Sequence, residues 1–246
     1  MLMRMSFRRL TRLTVLPLLF AAAAAMPLLA QPPVAQKPTA APPLPQAIRW
    51  ESAIARFEAA DRKSRPPQGA VLFIGSSSIV KWKTLAQDFP GVQTLNRGFG
   101  GTVIADSTRY VSRIVVPYHP RKIVFFAGDN DIGAGRSPQA VAADFAGFVA
   151  AVRAALPDVP VAFIAIKPSL SRWRLHDAQI KANRLVSDYC QRGTGLTFID
   201  VYGIMLGSDG KPRPELFVAD GLHMTPAGYA LWTPVVAPFV TAGSTK

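Results

Sequence analysis

Short apolar runs alternate with helix-like segments along most of this chain, and this alternation restricts the fold more than any other feature. The runs are rich in Val, Ile and Phe and cover residues 70–74, 92–95, 122–127, 159–166 and 196–201. They lack a period of two residues, as is typical of parallel strands that are buried on both faces. The sequence therefore predicts an α/β fold: a three-layer α/β/α sandwich whose five-stranded parallel sheet is close to flavodoxin-like in order.

Helix-forming segments lie before, between and after these runs. The clearest cover residues 48–65, 137–155, 172–191 and a last segment from Thr225 toward Phe239. Ser137 and Pro138 open the second segment as an N-cap residue followed by a proline in the first helical position. Helices of this length fit the crossover connections that a parallel sheet requires.

Residues 1–30 have the features of an export signal. Four arginines precede an acid-free apolar stretch over residues 13–29, and Ala30 offers a small-residue cleavage point. An uncleaved membrane anchor is the alternative, because the apolar stretch approaches the length that spans a bilayer. Residues 31–45 contain six prolines and predict a semi-extended linker. We therefore predict a secreted or periplasmic protein whose globular domain covers residues 46–246.

The chain is strongly basic. Its 28 Lys and Arg residues against 15 Asp and Glu residues give a net charge of +13, and residues from Gln31 onward carry +9. This surplus favours contact with an anionic envelope surface, although a solvated basic surface explains it equally well. The basic clusters lack interleaved aromatic residues, so nucleic acid is not an expected partner. Cys190 is the only cysteine, which excludes an internal disulfide and leaves a packing role for this thiol.

Four polar motifs lie where apolar runs are predicted to end. They are residues 75–78 (Gly-Ser-Ser-Ser), 96–101 (Asn-Arg-Gly-Phe-Gly-Gly), 128–131 (Gly-Asp-Asn-Asp) and 220–223 (Asp-Gly-Leu-His). In open α/β sheets, ligands bind at the carboxyl ends of the strands. We therefore expect the four motifs to form one active site at a single edge of the sheet.

The chemistry of the motifs points to a nucleophile with a general base. Asp220, three residues before His223, can hold one ring nitrogen of the imidazole and leave the other free to accept a proton. Taken alone, each of the other motifs has an ordinary explanation as a helix cap, a glycine turn or an Asx turn. Asp129 and Asp131 are too few carboxylates for a convincing metal site. An asparagine amide beside them could instead donate to an oxyanion.

In combination and in order, the four motifs resemble the SGNH hydrolase superfamily, also called the GDSL lipases and esterases. The resemblance covers about residues 69–240. It implies a catalytic triad of Ser77, Asp220 and His223. It also implies an oxyanion hole made by the Ser77 and Gly101 N–H groups and the Asn130 amide. No metal or organic cofactor is implied.

The nucleophile block departs from the family pattern. The aspartate that usually precedes the serine is Ser76 here, and the following leucine is Ser78. That aspartate is not a triad member, so the departure does not affect the implied hydrolysis. The choice of Ser77 among three neighbouring serines therefore depends on the alignment with the family.

The resemblance predicts a serine carboxylic-ester hydrolase acting on a small-molecule or polysaccharide ester. No insertion is long enough to form an apolar lid, which favours short-chain acyl or O-acetyl groups. A lysophospholipase-type lipase and a non-catalytic carbohydrate- or envelope-binding domain are the alternatives. Residues 167–174 follow the fourth predicted strand, so Trp173 could form an apolar platform for substrate, and Arg172 or Lys167 could attract it. The equally weighted alternative is that Trp173 packs against the start of the next helix while the cations face water.

Overall fold

The computed structural model describes residues 49–243. The predicted export signal and linker lie outside these residues, whereas nearly all of the predicted domain lies within them. Between residues 49 and 243, no helix combines the length and the apolar character needed to cross a membrane.

Five parallel strands form one sheet, as the alternating apolar runs predict. They are β1 (Val71–Gly75), β2 (Thr94–Gly98), β3 (Lys122–Phe126), β4 (Val161–Ile164) and β5 (Leu196–Ile199). Their order is β2-β1-β3-β4-β5, which is the flavodoxin-like order, and every neighbouring pair is parallel. The prediction of the sheet is confirmed.

Nine helices surround this sheet within the described part of the chain. They are α1 (Glu51–Lys63), α2 (Ser77–Val80), α3 (Leu85–Asp88), α4 (Ile104–Arg109), α5 (Val111–Ile114), α6 (Asp129–Gly133), α7 (Pro138–Arg153), α8 (His176–Arg192) and α9 (Pro226–Thr241). The Ser137 side chain accepts a hydrogen bond from Ala140 N at 3.1 Å and so caps α7 as predicted. Cys190 of α8 is a free, buried thiol that packs in the core.

The core is divided between the two faces of the sheet, because successive strand residues point to opposite sides. Leu72 and Ile74 of β1 pack with α1, α4, α5, α7 and α8. Val71 and Phe73 of the same strand pack on the other face with α2, α3 and α9. The arrangement is therefore the predicted three-layer sandwich.

The second strand differs most from its prediction. Residues 92–95 were expected to be extended, with Asn96 beginning a loop, whereas β2 continues through Asn96 and Arg97 to Gly98. β2 lies at the edge of the sheet and pairs only with β1, so part of it is accessible and can carry polar side chains. The loop that follows therefore begins at Phe99.

Candidate active site

Ser77 lies at a sharp turn between β1 and α2. Gly75 ends the strand at φ +134°, where a Cβ atom would lie only 1.9 Å from the Phe126 carbonyl oxygen, so only glycine fits. Ser76 N–H donates to the same oxygen at 2.9 Å. Ser77 then begins α2, where its N–H has no preceding helical carbonyl to bind. The turn thus presents the hydroxyl and the N–H of Ser77 at the carboxyl edge of the sheet.

His223 connects Ser77 with Asp220. Its Nε2 lies 3.0 Å from Ser77 Oγ, and its Nδ1 lies 2.5 Å from Asp220 Oδ2. Ser77 is half-buried, whereas Ser76 and Ser78 are only 2% and 3% exposed. The structure therefore brings together Ser77, His223 and Asp220, which the sequence predicts as nucleophile, base and orienting acid.

The Asp220 carboxylate is held by the backbone that follows it. Its Oδ1 accepts from the N–H groups of Leu222 and His223, both at 2.8 Å. Burial raises the pKa of Asp220, but the hydrogen bonds from the His223 ring and these two N–H groups outweigh it and hold the pKa well below its usual range. The carboxylate therefore stays ionised near neutral pH and can orient the imidazole and stabilise its protonated form.

The sequence predicts that the Asp220–His223 motif directly follows a strand of the sheet. In the structure it does not. It lies in a turn closed by the isolated bridge between Phe217 and Met224, well after the end of β5. The segment after β4 fixes this turn to the sheet edge, because Ser171 N–H donates to the Gly221 carbonyl at 3.0 Å. This contact, and not a preceding strand, places the turn at the predicted edge of the sheet.

Asn130 lies in the first turn of α6, directly after β3. Its Nδ2 donates to the Thr102 carbonyl at 3.0 Å, and its Oδ1 accepts from Arg172 Nη2 at 3.0 Å. An amide nitrogen carries two hydrogens, so one N–H remains to donate to a ligand. Gly128, which precedes α6, has φ +103°, and a Cβ there would lie 2.7 Å from Ile166. Only glycine allows this turn and therefore this placement of Asn130.

Gly101 lies in the loop between β2 and α4. It has φ +75°, and a Cβ there would lie 3.3 Å from the Trp50 ring. The same region is joined to α6 by the buried Asp131, whose Oδ1 accepts from Ile104 N–H at 3.2 Å. The loop that carries Gly101 and the helix α6 that carries Asn130 are thus linked through Asp131 and through Thr102. The oxyanion roles of Ser77, Gly101 and Asn130 stay predictions.

A largely buried ionic cluster lies next to Asn130, and it was not predicted from the sequence. The Asp129 carboxylate forms an ion pair with Arg172 Nη1 at 2.9 Å and lies 3.7 Å from Lys167 Nζ. Gln179 Nε2 also donates to Asp129 at 3.3 Å. Lys167 is only 1% exposed, so the prediction that it could attract substrate is wrong. Burial lowers the pKa of Lys167, and the Asp129 charge opposes that shift.

The two predicted substrate contacts have different surroundings. Arg172 is 21% exposed at its side chain and is engaged with both Asp129 and Asn130. Trp173 is half-buried and stacks on His176, with ring centroids 4.4 Å apart and planes at 13°. Contact of either residue with substrate stays a prediction. Within residues 49–243, no three His, Cys, Asp or Glu side chains group as metal ligands.

Comparison with known proteins agrees with this fold and these motifs. The sequence model of the GDSL-like Lipase/Acylhydrolase family matches residues 74–231, which is more than half of the chain. No curated protein sequence matches the chain significantly.

Three solved structures illustrate the likeness of fold. A GDSL-like lipase from Bacteroides thetaiotaomicron is 19% identical with a TM-score of 0.64, over 76% of this chain and 96% of that one. A proposed acylhydrolase from Bacteroides fragilis is 20% identical with a TM-score of 0.66, over 78% and 97% of the two chains. A protein from Streptococcus pneumonia, described as a proposed platelet activating factor, is 18% identical with a TM-score of 0.68, over 77% and 92%.

These structures share the parallel sheet and its flanking helices with this chain, and the family match includes the β1 turn that carries Ser77. The resemblance to the SGNH hydrolases is confirmed. The chain belongs to the GDSL-like lipase/acylhydrolase family, whose general activity is the hydrolysis of carboxylic esters.

Proposed function

We propose that this protein is a serine esterase that removes short acyl groups, O-acetyl groups included, through a covalent acyl-enzyme. The observation that carries the proposal is the 3.0 Å contact between Ser77 Oγ and His223 Nε2, with Asp220 on the other ring nitrogen. A nucleophile, a base and an orienting acid within hydrogen-bond distance are the arrangement that nucleophilic acyl transfer requires.

In the first half of the reaction, Ser77 Oγ attacks the ester carbonyl while His223 Nε2 takes its proton. Asp220 accepts from Nδ1, which holds the imidazole in the tautomer with a free Nε2 and stabilises the imidazolium. The same proton then passes to the leaving alcohol, and the acyl group remains on Ser77. In the second half, His223 Nε2 takes a proton from a water molecule as the water attacks the acyl carbonyl. The bond to Ser77 Oγ then breaks, His223 returns this proton to Oγ, and the carboxylic acid is released.

The negative charge that develops on the carbonyl oxygen is held by three donors. The Ser77 N–H at the start of α2, the Gly101 N–H and the remaining Asn130 Nδ2–H form this oxyanion hole. Such donors are effective because they are already oriented before charge develops. The contacts of Asn130 with Arg172 and Thr102 support this role, since they fix which face of the amide carries the N–H groups.

The substrate is an ester of a small molecule or of a polysaccharide. Short acyl groups are favoured because no insertion in the chain is long enough to cover a long apolar chain with a lid. The predicted export signal suggests that the substrate is met outside the cytoplasm, where the basic surface suits contact with an anionic envelope.

A panel of chromogenic esters of increasing acyl length tests this proposal. We expect the highest kcat/KM on acetyl or other short esters and a loss of at least about 10³-fold in Ser77→Ala. Ser76→Ala and Ser78→Ala are the matched controls and should keep most of the activity. Full activity in Ser77→Ala, with loss in either neighbour, would contradict the choice of nucleophile.

A lysophospholipase-type activity is the second candidate, and one feature favours it. A cavity of about 310 Å³ adjoins the Gly101 loop and is lined by Trp50, Phe99 and Gly100, with Arg49 and Arg56 also at its wall. Neither arginine forms an ion pair with another described residue, and guanidinium groups bind phosphate well. A higher kcat/KM on lysophospholipids than on short neutral esters, lost in Arg56→Gln, would favour this activity over the first.

A further inference from the structure

Lys167 is a buried cation with two partners that belong to different parts of the site. Its Nζ donates to the Leu222 carbonyl at 2.8 Å, one residue before His223. The same nitrogen lies 3.7 Å from Asp129 Oδ2, one residue before Asn130. A buried ammonium group is stable only when charged and polar partners replace water. Lys167 therefore connects the segment of the proposed base with the segment of the proposed oxyanion donor.

Arg172 connects the Asp129 carboxylate with the Asn130 side chain. Its Nη1 pairs with Asp129 Oδ1 at 2.9 Å, and its Nη2 donates to Asn130 Oδ1 at 3.0 Å. A guanidinium group only donates, so the oxygen side of the Asn130 amide must face Arg172. The nitrogen side then faces Thr102 and the position proposed for the oxyanion. The guanidinium of Arg172 thereby determines the orientation of the amide.

We infer that Lys167 and Arg172, joined by Asp129, are positioning residues. They hold the side chains of His223 and Asn130 at the correct distance and orientation relative to Ser77. The inference rests on the proposed function, because it says that this ionic cluster positions the proposed catalytic groups. Neither cation contacts the reacting atoms. Lys167 acts on the Leu222 carbonyl and so on the turn that carries His223, whereas Arg172 acts on the Asn130 side chain.

The charged groups of this cluster affect the geometry of the site more than the stability of the fold. A buried ion pair contributes little net stability compared with well-packed apolar side chains. Charge-assisted hydrogen bonds, however, are shorter and stronger than neutral ones, and a guanidinium group also restricts the angle of the groups it binds. A displacement of about 1 Å in a catalytic group can cost about 100-fold in rate, so such a cluster can control turnover without touching substrate.

Kinetics of Lys167→Met and Arg172→Met on a neutral short-chain ester test the inference. Methionine keeps an unbranched stem and removes the charge. We expect kcat to fall about 10- to 100-fold in each variant while KM changes less than about threefold. In an Asn130→Ala background, the Arg172→Met effect should disappear, because its target is absent. The Lys167→Met effect should persist there, because it also acts through Leu222.

Gly133→Ala gives a second test that keeps every charge. A Cβ at Gly133 would lie 3.1 Å from Arg172 Cζ, so the methyl group should displace the guanidinium. Gly147→Ala is the matched control, because this helical glycine has no atom within 4 Å of an added Cβ. We expect a kcat loss of several fold in Gly133→Ala and none in Gly147→Ala. This comparison also serves if either methionine variant fails to fold.

The outcomes separate this inference from the proposed function. An inactive wild type, or a Ser77→Ala variant as active as wild type, would contradict the proposed function itself. If wild type depends on Ser77 but the folded cluster variants keep wild-type kcat, the cluster is only structural and the inference is wrong. A loss confined to KM on anionic esters in Arg172→Met would also overturn it, because Arg172 would then contact substrate directly.

Discussion

His223 Nε2 lies 3.0 Å from Ser77 Oγ, although 146 residues separate the two side chains along the chain. Ser77 begins the helix after the inner strand β1, and His223 lies in the last turn before α9. Contacts from the segment after β4 bring that turn over the carboxyl edge of the sheet. The pair thus depends on the tertiary structure as a whole, and it distinguishes Ser77 from its two buried neighbours.

Asn130→Ala should lower kcat by about 10²- to 10³-fold, the cost of removing one oriented oxyanion donor. The fold should persist, because Asn130 is half-buried at the start of a short helix and adds little apolar packing. Steady-state kinetics with circular dichroism of the same sample checks both expectations. An unfolded variant would show that Asn130 is structural and would remove the support for its proposed role.

Asp131→Asn should make stability depend less on pH. Asp131 is fully buried, and burial raises its pKa to about 6. Because the folded-state pKa is raised, the resulting stabilisation is present below about pH 4 and is lost as pH rises through about 6. The shift corresponds to ~3 kcal/mol. The Tm of the variant relative to wild type should therefore increase from pH 4 to pH 8.

The measurement is thermal unfolding of both proteins at several pH values between these limits. Asparagine keeps an acceptor for the Ile104 N–H and removes the titratable group. Its amide also adds two N–H donors, but their effect on stability does not depend on pH. A Tm difference that stays constant across the range would mean that Asp131 titrates normally in the folded protein.

Trp173→Ala should change substrate preference more than stability. The indole is half-buried and stacks on His176 beside the segment that holds the His223 turn. If it forms a platform for the acyl or alcohol part of the substrate, the ranking of esters by kcat/KM should shift while Tm changes little. A loss of about 3 kcal/mol or more with an unchanged ranking would instead assign Trp173 to packing.

The sheet could be predicted because its inner strands β1, β3 and β4 are buried on both faces and read as apolar runs. Polar residues were harder to interpret, as Asn96 and Arg97 show: they belong to β2, yet a polar pair after an apolar run predicts a loop. An edge strand accepts such residues, and nothing local in the sequence marks β2 as an edge.

The part of the site that could be predicted is formed by residues that are close in sequence. Asp220 and His223 are three residues apart and contact each other directly, so their pairing could be predicted from spacing. Lys167 could not be placed in the same way. A lysine after a strand is usually exposed, and its burial depends on Asp129 and Leu222, which are remote in sequence. Partners of that kind become visible only in the folded chain.

The most direct test of the serine mechanism is to locate a covalent adduct after treatment with a fluorophosphonate. We expect one adduct per chain, mapped by peptide mass spectrometry to Ser77, with hydrolysis lost in proportion to labelling. His223→Ala should label far more slowly, because Ser77 would lack its base. Labelling at Ser76 or Ser78, or full hydrolysis after stoichiometric labelling of Ser77, would contradict the mechanism.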